Sequence, residues 1–365
     1  MKNALKRIQI EGFKTIRSCD LELRELNALI GANGAGKSNF ISFFKMLNDS
    51  STDGLSNWVE MTGGASSILH RGVKYTTKIH GILDYETENN NQQYSFIFSY
   101  IPAGDRLSAT NEEMKYISLQ GNEVILRLLP QELNESLNDD TLKLYINLVN
   151  LVKQTRVFQF HDTSDTALVK QRSSIDDSVS LKSDAGNLAS VLLELKQNYP
   201  KNYDQIVRTI RLSAPFFNDF VLEPTPARMV LLRYSEFGSD TVFGVHQLSD
   251  GTLRFMALIT LLLQPSERMP SVIIIDEPEL GLHPHAIETL LSVMRSVSLE
   301  HQIIFATQST ALIDRLEPEE VIVAERHDFE TTFKRLDSVA LGEWLEDYSL
   351  GELWDKNVIG GRPSR

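Results

Sequence analysis

Residues 26–47, LNALIGANGAGKSNFISFFKML, change their periodicity at a glycine-rich loop. A short apolar run ends at Ile30 and predicts a buried strand. After the loop, apolar residues recur at the spacing of one helical face, at Phe40, Phe43, Phe44 and Leu47. The loop therefore lies at a predicted strand-to-helix joint.

The loop itself, residues 31–38, reads GANGAGKS and fits the phosphate-loop pattern G-x-x-x-x-G-K-[ST]. Glycines let backbone N–H groups turn toward phosphates, and a helix N-terminus adds partial positive charge. We expect Lys37 to reach the β- and γ-phosphates of ATP and the Ser38 hydroxyl to ligate Mg²⁺. The predicted nucleotide-binding residues are Gly31, Asn33, Gly34, Ala35, Gly36, Lys37, Ser38 and Asn39.

A second apolar run, residues 272–279 (VIIIDEPE), ends in carboxylates. We expect Asp276 to hold Mg²⁺ with its hydration shell. We expect Glu277 to orient or deprotonate the attacking water, a role worth about 10²–10⁴ in rate. Two adjacent acids can also be a solvated strand end, but a phosphate loop in the same chain favours the catalytic interpretation.

The turn at residues 248–252, LSDGT, begins another predicted helix. A serine and a glycine at a helix start can bind an anion through unpaired N–H groups, although a serine N-cap would look the same. In a two-fold dimer, Ser249, Asp250 and Gly251 would close over the γ-phosphate held by the partner. We therefore predict a homodimer with composite ATP sites.

The order of these motifs, followed by LGLHP and IIFATQST, resembles the ATP-binding-cassette superfamily. The forms GKSN, LSDGT and DEPELGLHP, and the start IQIEGFKTIRSCDLEL, are similar to the soluble RecF, SMC and OLD group within it. This resemblance implies that Ser249 and Gly251 act in trans on the γ-phosphate and that Glu277 is the catalytic base. It implies a γ-phosphate contact for Gln308, at the position of a switch histidine.

The same resemblance implies that Lys14 approaches the nucleotide. It leaves the glutamine of the Q-loop open between Gln154 and Gln159. By residue pattern alone, His161 and Asp162 in QFHDTSD match part of a metal phosphohydrolase pattern, but a turn-forming cluster is favoured. His283 and His285 flank Pro284 at a spacing that disfavours a metal site.

The fold class predicted from these patterns is α/β, an ABC-type ATPase core with a mostly parallel sheet. We expect this core in residues 1–60 and 216–340. An inserted antiparallel β-meander and helical subdomain would occupy residues 61–215, and a C-terminal extension residues 341–365. Alternating residues predict a hairpin around the turn at 88–93, helices follow from 132 to 215, and DFVLEP, RMVLLRY and TVFGV are predicted strands.

Composition limits the partners. The formal net charge is −13, the wrong sign for a protein that coats itself with nucleic acid, so a DNA contact would need a local basic groove. Candidate residues for such a groove, or for an ordinary solvated face, are Lys6, Arg7, Lys14 and Arg17. No apolar run reaches the length of a membrane span, and we expect a cytoplasmic protein. A single cysteine, Cys19, excludes an intrachain disulfide.

Together these features predict a dimeric ATPase switch in DNA-related genome maintenance or anti-phage defence. Too few residues follow Gln308 for a fused TOPRIM nuclease, so we expect the effector, such as a TOPRIM-type nuclease, to be encoded separately. Two alternatives remain open. A transporter nucleotide-binding subunit is disfavoured by GKSN and DEPELGLHP, and a small-molecule kinase would leave LSDGT without a role.

Overall fold

The structure is a computed structural model that describes residues 3–50, 54–88, 90–118, 123–127 and 139–362. The chain divides into two compact units, unit 1 (Met1–Val157, Ser271–Ile274, His301–Arg365) and unit 2 (Phe158–Pro270, Ile275–Glu300). Turn residue Asn89 and the predicted helical stretch at 132–138 lie outside the described residues. The domain boundaries predicted from the sequence differ from these units and stay a prediction.

The strands that lie in unit 1 or cross into unit 2 are β1 (Asn3–Phe13), β2 (Ile16–Glu22), β3 (Leu26–Ile30), β4 (Lys78–Thr87), β5 (Asn90–Ile101), β6 (Arg106–Ser118), β7 (Glu123–Arg127), β8 (Thr155–Phe158), β14 (Val272–Asp276), β15 (Gln302–Thr307), β16 (Val321–His327) and β17 (Glu330–Arg335). The helices of unit 1 are α1 (Lys37–Ser50), α2 (Leu55–Met61), α3 (Ala65–Ile68), α4 (Asp139–Lys153), α9 (Thr310–Ile313), α10 (Ser338–Leu341), α11 (Trp344–Asp347) and α12 (Leu350–Asp355). A 3-10 helix spans Pro318–Glu320.

A six-stranded sheet carries the phosphate loop, in the order β17-β16-β3-β15-β14-β8. Strand β3 pairs in parallel with β15 and β16, and β17 pairs antiparallel with β16. Every residue of β3, β14 and β15 is buried, which is why these strands appear in the sequence as largely apolar runs. The parallel-rich sheet confirms the predicted α/β fold class.

A second six-stranded sheet is antiparallel, in the order β2-β1-β4-β5-β6-β7. The predicted hairpin is confirmed as β4 and β5, in which Ile79 pairs with Phe98 and Leu83 with Tyr94. Strands β1 and β2 precede the phosphate loop in sequence, yet β1 pairs with β4. Helix α1 packs into the same hydrophobic core as this sheet, with the rings of Phe43 and Phe96 6.0 Å apart. The meander thus supports the helix that follows the phosphate loop.

The elements of unit 2 are β9 (Ser173–Ser174), α5 (Leu188–Asn198), α6 (Pro200–Ser213), β10 (Phe217–Phe220), β11 (Met229–Val230), β12 (Arg233–Glu236), β13 (Val242–Gly244), α7 (Asp250–Leu263) and α8 (Pro284–Ser298), with 3-10 helices at Leu168–Lys170, Val245–Gln247 and Ser266–Arg268. Helix α5 buries the apolar face formed by Leu188, Val191, Leu192 and Leu195. Helix α7 is buried along most of its length, and α6, α7 and α8 pack together.

Three of the strands predicted within residues 216–340 do not belong to the mostly parallel sheet expected for that part of the chain. The segments DFVLEP, RMVLLRY and TVFGV contribute to small antiparallel sheets, β10-β12-β13 and β11-β9, rather than to the parallel sheet. Their short, half-exposed strands lack the continuous burial that a central parallel strand requires. Among the described residues, no helix is both long enough and apolar enough to cross a membrane.

Candidate nucleotide-binding site

Three glycines give the phosphate loop its shape. The φ angles of Gly31, Gly34 and Gly36 are +152°, +78° and +111°, a region that side chains disfavour. A Cβ atom on Gly36 would lie 2.2 Å from Thr331 Oγ1, and one on Gly31 would lie 2.4 Å from the carbonyl oxygen of Ala324. These two glycines therefore also allow β16 and β17 to approach the back of the loop.

Lys37 lies inside the loop, with 5% of its surface exposed. Its Nζ donates hydrogen bonds to the carbonyl oxygens of Gly31, at 2.6 Å, and Ala32, at 3.1 Å. Asn33, Gly34 and Ser38 are exposed. The loop thus combines a buried cation with an accessible rim, which is the arrangement that phosphate binding needs.

A chain of hydroxyl groups fixes the loop from behind. Asn39 Nδ2 donates to Thr15 Oγ1 at 2.7 Å, and the hydroxyl oxygens of Thr15 and Thr331 lie 2.7 Å apart. The Thr331 hydroxyl in turn donates to the carbonyl oxygen of Ala35 at 2.9 Å. The Asn39 side chain therefore contacts β1–β2 turn residue Thr15, a role that the sequence pattern did not indicate.

The C-terminal segment also contacts the phosphate loop. The carbonyl oxygen of Gly361 accepts the N–H of Ala32 at 2.5 Å, and the Gly361 N–H donates to Glu325 Oε1 at 2.8 Å. A cavity of about 480 Å³ is lined by the loop, the β16–β17 turn and Gly361 with Arg362. Gly361 was not among the predicted site residues, and its only signal in the sequence is the pair of glycines at 360 and 361.

Lys14 lies against helix α1. Its Nζ donates to Ser42 Oγ at 2.6 Å and lies 5.5 Å from the centre of the Phe13 ring and 5.8 Å from that of Trp58. Partial burial, and to a lesser degree the nearby charge of Lys45, lower the pKa of Lys14. The Lys14 ammonium group thus contacts Ser42, one helical turn after Ser38.

Unit 2 brings the carboxylate of Asp276 together with two side chains from the stretch after β8. Asp276 is 8% exposed, and Gln159 Nε2 donates to its Oδ2 at 3.3 Å. His161 Nε2 lies 2.9 Å from the carbonyl oxygen of Asp276. Of the two Q-loop candidates, Gln159 therefore contacts the acidic motif, whereas the backbone carbonyl of Gln154 accepts the N–H of Val272 in unit 1.

Glu277, the predicted base, is partly buried and has a φ of +44°. A left-handed backbone is uncommon for a residue other than glycine and is found at sites where the surroundings impose it. Gln308, the other predicted catalytic residue, follows β15 directly in unit 1 and is partly buried.

The LSDGT turn caps helix α7. Ser249 Oγ accepts the N–H of Thr252 at 3.1 Å, and Asp250 lies 3.8 Å from the Nζ of the buried Lys170. A Cβ atom on Gly251 would lie 2.0 Å from the carbonyl oxygen of Gly281. The serine is thus an N-cap as well as an exposed group, and Gly251 allows α7 to contact the loop after Glu277.

His283, His285 and Asp162, which the sequence raised as possible metal ligands, take part in hydrogen bonds within local turns. His283 Nδ1 accepts the N–H of His285 at 3.5 Å at the start of α8. Asp162 Oδ1 accepts both the N–H and the hydroxyl of Ser164, and these hydrogen bonds lower the pKa of Asp162. Across the part of the chain that the structure describes, no group of three or more His, Cys, Asp or Glu residues could hold a metal ion.

Three of the four candidate basic residues near the N-terminus pair with acids. Lys6 lies 3.1 Å from Glu86, and Arg17 lies 3.3 Å from Glu330. Arg7 pairs with Asp20, and hydrogen bonds from Arg7 lower the pKa of that carboxyl group. The local positive charge is thus partly neutralised, which favours the solvated-face interpretation.

Comparison with known proteins finds one matching family model and several solved structures of similar fold. A family model described as "AAA domain, putative AbiEii toxin, Type IV TA system" matches residues 26–314. An Smc head bound to the C-winged helix domain of ScpA shares 14% identity and a TM-score of 0.57, over 94% of this chain and 99% of that one. An Smc head with an extended coiled coil, bound to the C-terminal domain of ScpA from Pyrococcus furiosus, shares 13% identity and a TM-score of 0.58 over the same shares. No protein with a curated description matches in sequence. At this identity the likeness shows a common fold.

Proposed function

The chain belongs to the AAA-domain family whose model spans residues 26–314 and has the fold of an SMC-type, ABC-like ATPase; from this premise we propose that it binds and hydrolyses ATP as a homodimer. The observation that carries the proposal is the phosphate loop, in which the buried Lys37 ammonium lies behind an exposed rim of backbone at the start of α1. This arrangement supports binding of a polyphosphate.

The predicted site residues divide into phosphate-binding residues, metal ligands and residues that act on the γ-phosphate in this proposal. Lys37 and the loop N–H groups bind the β- and γ-phosphates, Ser38 and Asp276 supply oxygen ligands, and Gln308 contacts the γ-phosphate. The Ser38 hydroxyl and the Asp276 carboxylate would each offer the kind of oxygen ligand that Mg²⁺, a hard cation, prefers. When bound, Mg²⁺ neutralises charge on the phosphate oxygens.

Glu277 carries the proton chemistry. Its carboxylate orients a water molecule and accepts a proton from it as the water oxygen bonds to the γ-phosphorus. The bond between the γ-phosphorus and the bridging oxygen breaks, and ADP and phosphate leave. The partner's Ser249, Asp250 and Gly251 close the γ-phosphate side, so that ATP joins two copies and hydrolysis separates them. Ser249 keeps its N-cap contact with helix α7 in this role.

We propose that the switch acts in the cytoplasm in a DNA-related process, genome maintenance or anti-phage defence, through a separately encoded effector such as a TOPRIM-type nuclease. The family description names the AbiEii toxin and type IV toxin–antitoxin systems, and both Smc heads are bound to a domain of another protein, ScpA. These names support a switch that works through partners. The transporter alternative has no support of this kind.

Phosphate release tests the enzymatic part of the proposal. We expect the wild-type chain to release phosphate from ATP in the presence of Mg²⁺ and Lys37→Ala to lose both ATP binding and turnover. Lys201→Ala is a matched control, because Lys201 is an exposed residue of α6. A wild-type chain that binds no nucleotide, or a Lys37→Ala variant that turns over like the control, would refute the proposal.

A further inference from the structure

A histidine outside the proposed catalytic set contacts the backbone that carries both acids. His161 Nε2 lies 2.9 Å from the carbonyl oxygen of Asp276, and its Nδ1 lies 3.1 Å from Gln159 Nε2. The Gln159 nitrogen also lies 3.3 Å from Asp276 Oδ2 and so faces the carboxylate as a donor. Because a carbonyl only accepts and an amide nitrogen only donates, the ring accepts at Nδ1 and donates from Nε2.

The carbonyl group that His161 holds belongs to the peptide joining Asp276 to Glu277. This peptide is planar, so a hydrogen bond to its oxygen also restrains its nitrogen, which belongs to Glu277. Glu277 has a φ of +44°, a conformation that is uncommon for a residue other than glycine and needs support from its surroundings. His161 is one of the groups placed to give that support.

The backbone of His161 is itself fixed by helix α7. Arg254 Nη2 donates to the carbonyl oxygen of His161 at 2.9 Å, and its Nε donates to that of Phe160 at 3.2 Å. Arg254 Nη1 also donates to the carbonyl oxygen of Leu280 at 3.2 Å, beyond Glu277 in the chain. The ring therefore projects from a stretch of chain that one guanidinium joins to the same acidic loop.

We propose that His161 is a positioning residue for ATP hydrolysis, which holds the Asp276–Glu277 peptide so that the Glu277 carboxylate is presented for proton transfer. The inference rests on the proposed role of Glu277 as base. Both ring nitrogens are engaged with protein groups, so His161 serves the backbone and not a metal ion. The turn-forming stretch FHDT thereby has a function that its residue pattern did not reveal.

Two substitutions distinguish the hydrogen bond that His161 donates from the packing of its ring. His161→Phe keeps a planar ring and removes the donor, and we expect kcat to fall about 10- to 100-fold, the loss typical of a misplaced catalytic group. The dissociation constant for ATP, measured by equilibrium titration, should stay within about twofold of wild type, because phosphate binding is assigned to Lys37 and its loop. His161→Gln carries an N–H donor on a side chain of similar reach and should recover most of the lost turnover.

His80→Phe is the matched control, since His80 is a partly exposed residue of β4 in unit 1. Equal turnover in His161→Phe and wild type would overturn the inference, as would a loss of ATP binding that matches the loss of kcat. No recovery in His161→Gln, at an unchanged melting temperature, would also overturn it. Failure of the proposed function is distinguishable, because then the wild-type chain itself would not hydrolyse ATP.

Discussion

The contact between the C-terminal segment and the phosphate loop can be tested by adding one methyl group. Gly361 has a φ of +82°, and a Cβ atom there would lie 2.9 Å from Val323 Cγ1 and 3.4 Å from Gly31 Cα. Alanine in this conformation costs about 1–2 kcal/mol before any clash. We expect Gly361→Ala to relieve this strain by releasing the segment, with loss of the hydrogen bond from the Ala32 N–H to Gly361.

The effect on nucleotide binding follows from that hydrogen bond. One backbone hydrogen bond contributes about 0.5–1.5 kcal/mol net, which corresponds to roughly two- to twelvefold in affinity if the loop must be reordered when ATP binds. The assay is an equilibrium titration of ATP, accompanied by a thermal melt.

Gly238→Ala is the matched control, since Gly238 also has a positive φ, +75°, but a Cβ atom there would have no neighbour within 4 Å. Both variants bear the cost of the left-handed backbone, so a difference in ATP affinity reports the contact with the loop. Equal ATP affinity in the two variants, at equal melting temperatures, would refute the reasoning.

Three further predictions concern the LSDGT turn and the single cysteine. Gly251→Ala should destabilise the fold by about 1–3 kcal/mol in denaturant unfolding, because its Cβ would lie 2.0 Å from the Gly281 carbonyl oxygen; unchanged stability would contradict the contact. Ser249→Arg should abolish turnover and leave ATP binding nearly intact, and lost binding in a titration would instead place Ser249 in the site of its own chain. Burial raises the pKa of the Cys19 thiol to about 12 from 9.0, so the folded chain favours the protonated thiol. The protonated thiol therefore stabilises the folded chain fully below pH 9, and this stabilisation declines as the pH rises above 9. The unfolding free energy of wild type should fall more steeply between pH 9 and 11 than that of Cys19→Ala. Parallel plots of unfolding free energy against pH for the two proteins would contradict this prediction.

The phosphate loop and the parallel sheet could be predicted because their signals are local. The change of period between Ile30 and Phe40, and the largely apolar runs of β3, β14 and β15, follow from burial on both faces of a sheet. The pairing of β1 with β4 could not be predicted in the same way. Alternation determines which face of a strand is buried, but it does not specify the partner strand.

Long-range contacts account for what the sequence did not reveal at the site. Gly361 is distant in sequence from Ala32, and His161 is distant from Asp276, yet each pair is joined by a hydrogen bond. Neither contact leaves a periodic signal. The sequence also gives no signal for the left-handed conformation of Glu277, because nothing in an Asp-Glu-Pro run requires a positive φ.

Light scattering on Glu277→Gln with ATP and Mg²⁺ tests the central claim most directly. The amide keeps the shape of the side chain but does not accept a proton from water, so ATP should stay bound and hold two copies together. We predict a species of twice the 41.3 kDa chain mass at saturating ATP, and a smaller species when ATP is omitted. A Glu277→Gln variant that binds ATP and remains a 41.3 kDa monomer would contradict the composite-site account.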